Sequence, residues 1–323
     1  MSYNGLDSYP GNKRPKRRRA HYSGVFIICM AFLAFIVIGL TISISIRACT
    51  HQQKTTLIEK RQYNVQETSN NVIEEKEDLD IEEPQVVSTQ YSMPDSIVRV
   101  CMPRPLDGVS EMILRKSTYI VSYNKDTKLP NWVAWNLTAD HTDGPYRRLG
   151  NFFEDDEAPR PHATNEDYKG SGWSHGHMCP AGDNKWDKTA MKESYLLTNI
   201  CPQDRSLNSG LWNKIEQDCR KWAKKYGDLY IVCGPVLLNV EHETIGQNKI
   251  VVPEAFFKVI LCLQGRPKAI GFVIRNNEGK KKRDQFINTI DEVERITGYD
   301  FFPALPDSIE DEVEAYSNID DWK

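Results

Sequence analysis

The chain has 323 residues, with 41 basic against 45 acidic side chains and a formal net charge of −4. That length has room for two domains, but the composition shifts so sharply along it that one globular domain with appendages is the simpler partition. A mildly acidic chain lacks the broad basic surface of a tight nucleic-acid binder, and it contains no internal repeat.

Residues 1–23 form a polar head that carries the basic run NKRPKRRR, Asn12 to Arg19. From Gly24 to Ile46 the chain reads GVFIICMAFLAFIVIGLTISISI, without a charge and long enough to cross a bilayer as one helix. A cleavable signal peptide has a shorter apolar core and a small-residue cleavage site. Cys49 makes a poor lipoprotein site, because Arg47 falls inside the would-be box. Basic residues precede the span and only Arg47 follows it closely, so the positive-inside rule keeps the head in the cytoplasm. The expectation is a signal-anchored, single-pass protein of the inner (cytoplasmic) membrane, held by one N-terminal helix, with the remainder periplasmic or extracellular.

Residues 47–95 are polar and increasingly acidic (NNVIEEKEDLDIEEP), without sustained apolar periodicity, and read as a flexible stalk. The globular region is expected over 96–306. Its strands are predicted at Tyr119–Tyr123, Trp132–Leu137, Leu229–Val232 and Ala269–Val273, and a helix over Lys282–Thr297. Strands mixed with helices and no regular βαβ repeat predict an α+β fold around a central, mostly antiparallel sheet. Residues 307–323 are an acidic tail expected to be solvated. Seven cysteines follow the span. An oxidising compartment permits disulfides, while burial as small apolar side chains is the other reading.

Chemistry concentrates between residues 174 and 220, in SHGHMCPAGDNK and then TNICPQDRSLNSGLWNKIEQDCRKWA. If the first run is a strand, His175, His177 and Cys179 share a face. Tyr195–Ile200 is β-prone, and Cys201-Pro202 is expected to end its ladder. From Ser206 the period becomes helical: Leu211, Ile215, Cys219, Trp222 and Tyr226 form a stripe to bury. Asn208 stands where an amide would cap that helix, and Glu216 precedes Arg220 by one turn, the better order for an ion pair. Two strands and a helix thus gather a histidine, an amide and an acid–base pair. This set suits activation of water, a hard divalent cation and a phosphate.

At these residues the chain resembles the DNA/RNA non-specific endonucleases, a ββα-metal (His-Me finger) family, and reads as a membrane-anchored bacterial member. Ser174-His175-Gly176-His177 corresponds to the family's Asp-Arg-Gly-His signature, and the match runs on through Met178, Pro180 and Ala181. TNICPQ and LNSGLWNKIE correspond to its Asn-Ile-x-Pro-Gln and Asn-x-Gly-x-Trp-x-x-x-Glu blocks. The resemblance extends from about Trp132 to about Phe301. It implies a ββα-metal nuclease fold that cleaves DNA and RNA with Mg2+, for which Mn2+ would substitute. It also implies His177 as general base, Asn208 as the direct metal ligand and Asn199 beside them. Glu216 would hold metal-bound water and Arg220 would face the phosphate. The signature's first two residues differ here, and a protonated His175 is expected to stand in for the missing arginine. Arg148, in YRRLGNFFEDD, and Lys185 are the candidate substrate contacts.

Other readings stay open at this point. His175-x-His177-x-Cys179 suits a zinc-dependent hydrolase, and the altered signature suits a degenerate, non-catalytic binding protein. Trp212 and Trp222 read as core residues rather than stacking platforms. Monomer and homodimer are equally compatible with the sequence.

Overall fold

The computed structural model describes residues 93–323; the head, the apolar run at 24–46 and the stalk up to residue 92 lie outside the described residues. No helix among the described residues is long and apolar enough to cross a membrane. In chain order they form α1 (Asp95–Cys101), β1 (Met112–Arg115), β2 (Tyr119–Asn124), β3 (Leu129–Leu137), α2 (Asn165–Tyr168), β4 (Ser174–His177), α3 (Lys188–Glu193) and β5 (Ile200–Gln203). A π-helical turn (Leu207–Trp212) then leads into α4 (Asn213–Tyr226). The rest is β6 (Leu229–Val236), β7 (Thr244–Ile245), β8 (Ile250–Val251), β9 (Ala255–Cys262), β10 (Lys268–Arg275), β11 (Ile287–Asn288), α5 (Ile290–Thr297) and α6 (Asp307–Glu314).

Seven strands pair antiparallel in the order β1-β2-β3-β6-β9-β10-β11, so the fold is α+β around an antiparallel sheet, as the sequence predicts. The four predicted strands are β2, β3, β6 and β10, each with slightly wider bounds. Strand alternation sorts side chains onto two cores. Phe256, Ile260 and Cys262 of β9 face Trp212, Ile215 and Cys219, whereas Phe257, Val259 and Leu261 face Val98 of α1, Val293 of α5 and Val313 of α6. The sheet therefore separates the terminal helices from the layer that carries the candidate site.

Four expectations change. The helix predicted from Lys282 begins only at Ile290, because Thr289 stays extended and its hydroxyl accepts the Glu292 amide at 3.2 Å. Just ahead of it, Ile287 and Asn288 pair with Phe272 and Gly271 as the sheet's edge. Residues 197–199 form a 3-10 turn, and the strand starts at Ile200 and runs through Pro202, which pairs with His175. A two-stranded ribbon leaves one side of each strand unpaired, so a missing amide is tolerated there. The domain's packing starts ahead of Ser96, with Met93 buried, and passes beyond Pro306. The acidic tail is docked rather than solvated: Val313 is buried, and Trp322 packs on Trp222 with ring centroids 4.7 Å apart. Of the two readings left open for the cysteines, burial is the one seen: Cys101, Cys179, Cys201, Cys219, Cys233 and Cys262 are all buried free thiols.

Candidate active site

β4 pairs with β5, from Ser174 opposite Gln203 to His177 opposite Ile200. The strand requires glycine at its centre: a Cβ on Gly176 would lie 2.5 Å from Gln203 Oε1. Alternation then turns His175 and His177 to one face, where both rings meet Phe152. His177 is 6% exposed, its ring edge-on to Tyr195, and its Nε2 is buried without a hydrogen-bond partner. Its carbonyl accepts the Trp212 indole N–H at 3.3 Å, tying β4 to the π-turn. Burial, then the nearby charge of Arg148 and the neighbouring His175, push the His177 imidazole down to about 3. The ring is therefore neutral, the form a base needs, and a phosphodiester's negative charge would pull its proton affinity back up.

The surroundings of His175 disfavour the charge expected of it. Its ring is sandwiched between Phe152 (4.2 Å, 8° between planes) and Tyr168 (4.0 Å, 20°). Half-buried there, with a buried and unpartnered Nε2, it is pushed down by desolvation to about 4. Each aromatic face favours a cation by only about 0.5–1 kcal/mol, under one pH unit apiece. In the absence of substrate these surroundings favour a neutral stacked ring over the expected imidazolium.

The π-turn presents Asn208. It does not cap the helix as expected, because Asp204 already does: its Oδ1 accepts the amides of Ser206 and Leu207 at 2.9 and 3.0 Å. Asn208 instead donates through Nδ2 to the His175 carbonyl at 3.1 Å, which leaves Oδ1 as a half-buried acceptor beside β4. An extra residue in a helical turn often marks such a site. Asn199, by contrast, is fully buried. Its Oδ1 accepts the Cys179 amide, and its Nδ2 donates to the carbonyls of Cys179 and Ser194, all at 2.8 Å. It shapes the turn after His177, with its amide committed to the backbone.

Glu216 is half-buried on α4, and burial raises its carboxyl to about 7 against the opposing charges of Lys258 and Arg220. The expected Glu216–Arg220 ion pair is not formed. Arg220 Nη1 lies 2.8 Å from Oδ1 of Asp183, a fully enclosed carboxylate that also accepts the Trp135 indole N–H at 3.2 Å. A buried carboxylate needs a partner more than a half-buried one does, so Asp183 takes the guanidinium. Arg148 and Lys185 line one open cavity of about 560 Å³ with Tyr146, Arg147 and Met191. Neither is in an ion pair among the described residues.

Asp183, Lys258, Phe152, Tyr168 and Tyr195 escaped the sequence reading. Only Lys258 left a signal, a lone charge inside the apolar run AFFKVILC. The zinc reading fits poorly. Burial raises the Cys179 thiol well above its usual range, and the one close trio of His, Cys, Asp or Glu donors among the described residues is Asp291, Glu294 and Glu314. The oxygen donors Asn208 and Glu216, both within reach of water, suit a hard cation such as magnesium.

A strand bearing a buried histidine, its short partner strand, a π-turn carrying an amide and a helix carrying an acid are consecutive parts of one layer. Residues 104–308, more than half of the chain, match the DNA/RNA non-specific endonuclease family, and the chain belongs to that family. It is 35% identical over 219 residues to the mitochondrial nuclease EXOG of Mus musculus, which covers 62% of this chain and 59% of that protein. To Homo sapiens mitochondrial endonuclease G it is 32% identical over 215 residues (62% and 72% covered). A chain from a crystal structure of the EndoG/EndoGI complex aligns with TM-score 0.60 and 26% identity, covering 67% of this chain and 95% of that one. The chain spans less than two thirds of the EXOG relatives it matches, 59% in the mouse protein.

Proposed function

We propose that this protein is a magnesium-dependent, sugar-non-specific endonuclease that hydrolyses phosphodiester bonds in DNA and RNA. The observation that carries the reading is the buried, unpartnered Nε2 of neutral His177, on the strand to whose His175 carbonyl Asn208 is bonded. Asn208 would hold the ion and Glu216 its waters. Magnesium, when bound, supplies charge stabilisation for the phosphorane and the leaving oxygen. His177 takes the proton of the attacking water as the new P–O bond forms, and the opposite P–O bond breaks. Arg148 and Lys185 orient the backbone phosphates, and such contacts carry no base information, which suits cleavage without sequence preference. The full-length chain should degrade plasmid, single-stranded DNA and RNA with magnesium, and chelation should stop it. Binding without cleavage at every magnesium concentration would favour the degenerate binding protein, the reading that the uncharged His175 supports.

The tethered topology is part of the same proposal, supported by the uncharged run at 24–46 and the basic run before it. Protease added to cells with a permeabilised outer envelope should cut the acidic stalk and release the nuclease domain, leaving the basic head protected. Protection of the entire chain would reverse the orientation.

A further inference from the structure

The loop between β10 and β11 carries Gly279 followed by four consecutive cations, Lys280 to Arg283. In an acidic chain such a run is ordinarily a solvated surface, free of the fold beneath it. Here it is fastened at three points. At its base, Asn276 accepts the Asp204 amide through Oδ1 at 2.8 Å and donates through Nδ2 to the Pro202 carbonyl at 3.2 Å, which ties the loop to the end of β5. At its crest, the Gly279 carbonyl accepts the Leu211 amide at 3.3 Å. Backbone packs on backbone there, and a Cβ on Gly279 would fall inside the main chain of Ser206 and Leu207, so the position requires glycine. Beyond it, Arg283 Nη1 lies 2.5 Å from Oδ2 of Asp218, a buried carboxylate of α4. The run is thereby fixed to the π-turn that presents Asn208 and to the helix that carries Glu216.

Two of the four cations have carboxylate partners: Lys281 bonds Glu278 at 2.6 Å, and Arg283 bonds Asp218. Lys280 and Lys282 are exposed and in no ion pair among the described residues. Arg205, exposed beside Ser206, is a third such cation, on the π-turn side of the contact. Holding like charges together on a rigid support costs free energy that a polyanion offsets. Lysine contacts to backbone phosphates position a nucleic acid without reading its bases. We propose that Lys280 and Lys282 form a phosphate-binding site for the polynucleotide backbone, fixed relative to Asn208 by the Gly279 contact and separate from the cavity of Arg148 and Lys185. The site rests on the nucleic-acid part of the reading above. It adds a second point of grip, on the β10–β11 connection rather than on the segments after β3 and β4. These lysines hold substrate away from the scissile bond, so turnover of bound substrate does not depend on them.

The test measures binding as well as cleavage. The full-length parent, Lys280→Gln/Lys282→Gln and Arg99→Gln/Arg295→Gln are titrated into a fluorescein-labelled DNA duplex in EDTA at several salt concentrations. Arg99 of α1 and Arg295 of α5 are exposed on helices across the sheet, so the last variant removes the same charge from the far side. The lysine variant should bind at least about fivefold more weakly at about 0.1 M salt. Its slope of log affinity against log salt should be shallower by about 1.8, as the loss of two duplex phosphate contacts requires. The arginine variant should match the parent in both. In magnesium the lysine variant should show a raised KM for long DNA with kcat unchanged, the mark of contacts made equally in ground and transition states. Parental affinity and slope in the lysine variant, or equal losses in both variants, overturn the proposal. A parent that binds but never cleaves defeats the hydrolytic reading alone, and the binding data still decide this site. A parent that binds no nucleic acid overturns the site. Should the lysine variant fail to fold, the parent is acetylated with and without the duplex and its lysines are read by mass spectrometry. Shielding of Lys280 and Lys282 by the duplex supports the site, and unchanged reactivity overturns it.

Discussion

Replacing His177 with alanine should lower kcat by on the order of 10³-fold, within the range general-base catalysis supplies. The reason is local. Nε2 is buried with no protein partner, and the other such imidazole nitrogen among the described residues, that of His175, belongs to a ring stacked between two others. Some stability goes too, because the ring packs against Tyr195 and Phe152, and about 1–2 kcal/mol is a fair scale for such truncation. Tm and kcat must therefore be read together. The β4 register should survive, since Trp212 bonds the backbone carbonyl rather than the ring. Free imidazole should restore part of the lost rate by entering the vacated space. A folded His177→Ala with parental turnover would show that the base lies elsewhere.

Much of this site was legible because its parts are close in sequence. His177, Asn208 and Glu216 fall within 40 residues, on two strands and a helix whose periods are readable from apolar spacing. What spacing could not give was competition among partners. Arg220 is placed for Glu216, yet Asp183, brought in by the turn after β4, is buried and claims it. Asn208 looked like a cap until Asp204, four residues earlier, proved to hold the free amides. His175 looked like a replacement cation, but its charge depends on Phe152, from a loop, and Tyr168, from α2. The tail's acidity concealed Val313 and Trp322, whose burial depends on a sheet face and a helix formed far upstream. Residue types and local periods were readable; ionisation states and long-range partners needed the fold.

The relatives' lengths bear on how far the family likeness reaches. It covers residues 104–308 and leaves out the head, the apolar run and the stalk. The six cysteines among the described residues are buried free thiols. Topology has to be established on the segment before residue 93 rather than inferred from the domain.

Asn208 offers the second large effect, and two substitutions separate its two roles. Its side chain donates to the His175 carbonyl and leaves one oxygen for a cation. Asn208→Ala removes both, and should raise the magnesium concentration for half-maximal rate by at least about 10²-fold, beyond the usual cost of losing an outer contact. Asn208→Asp removes the donor but keeps an oxygen, now charged and attractive to a hard cation. If the oxygen is the ligand, aspartate should retain metal affinity near the parent's while turnover falls more modestly, because the His175 carbonyl loses its partner. If Asn208 serves only to clamp β4 onto the π-turn, both variants should lose rate alike with no change in magnesium dependence. Calorimetric titration of magnesium into each variant gives a readout independent of cleavage. Equal metal binding by the parent and Asn208→Ala would remove Asn208 from the metal site and leave Glu216 as the remaining oxygen donor there.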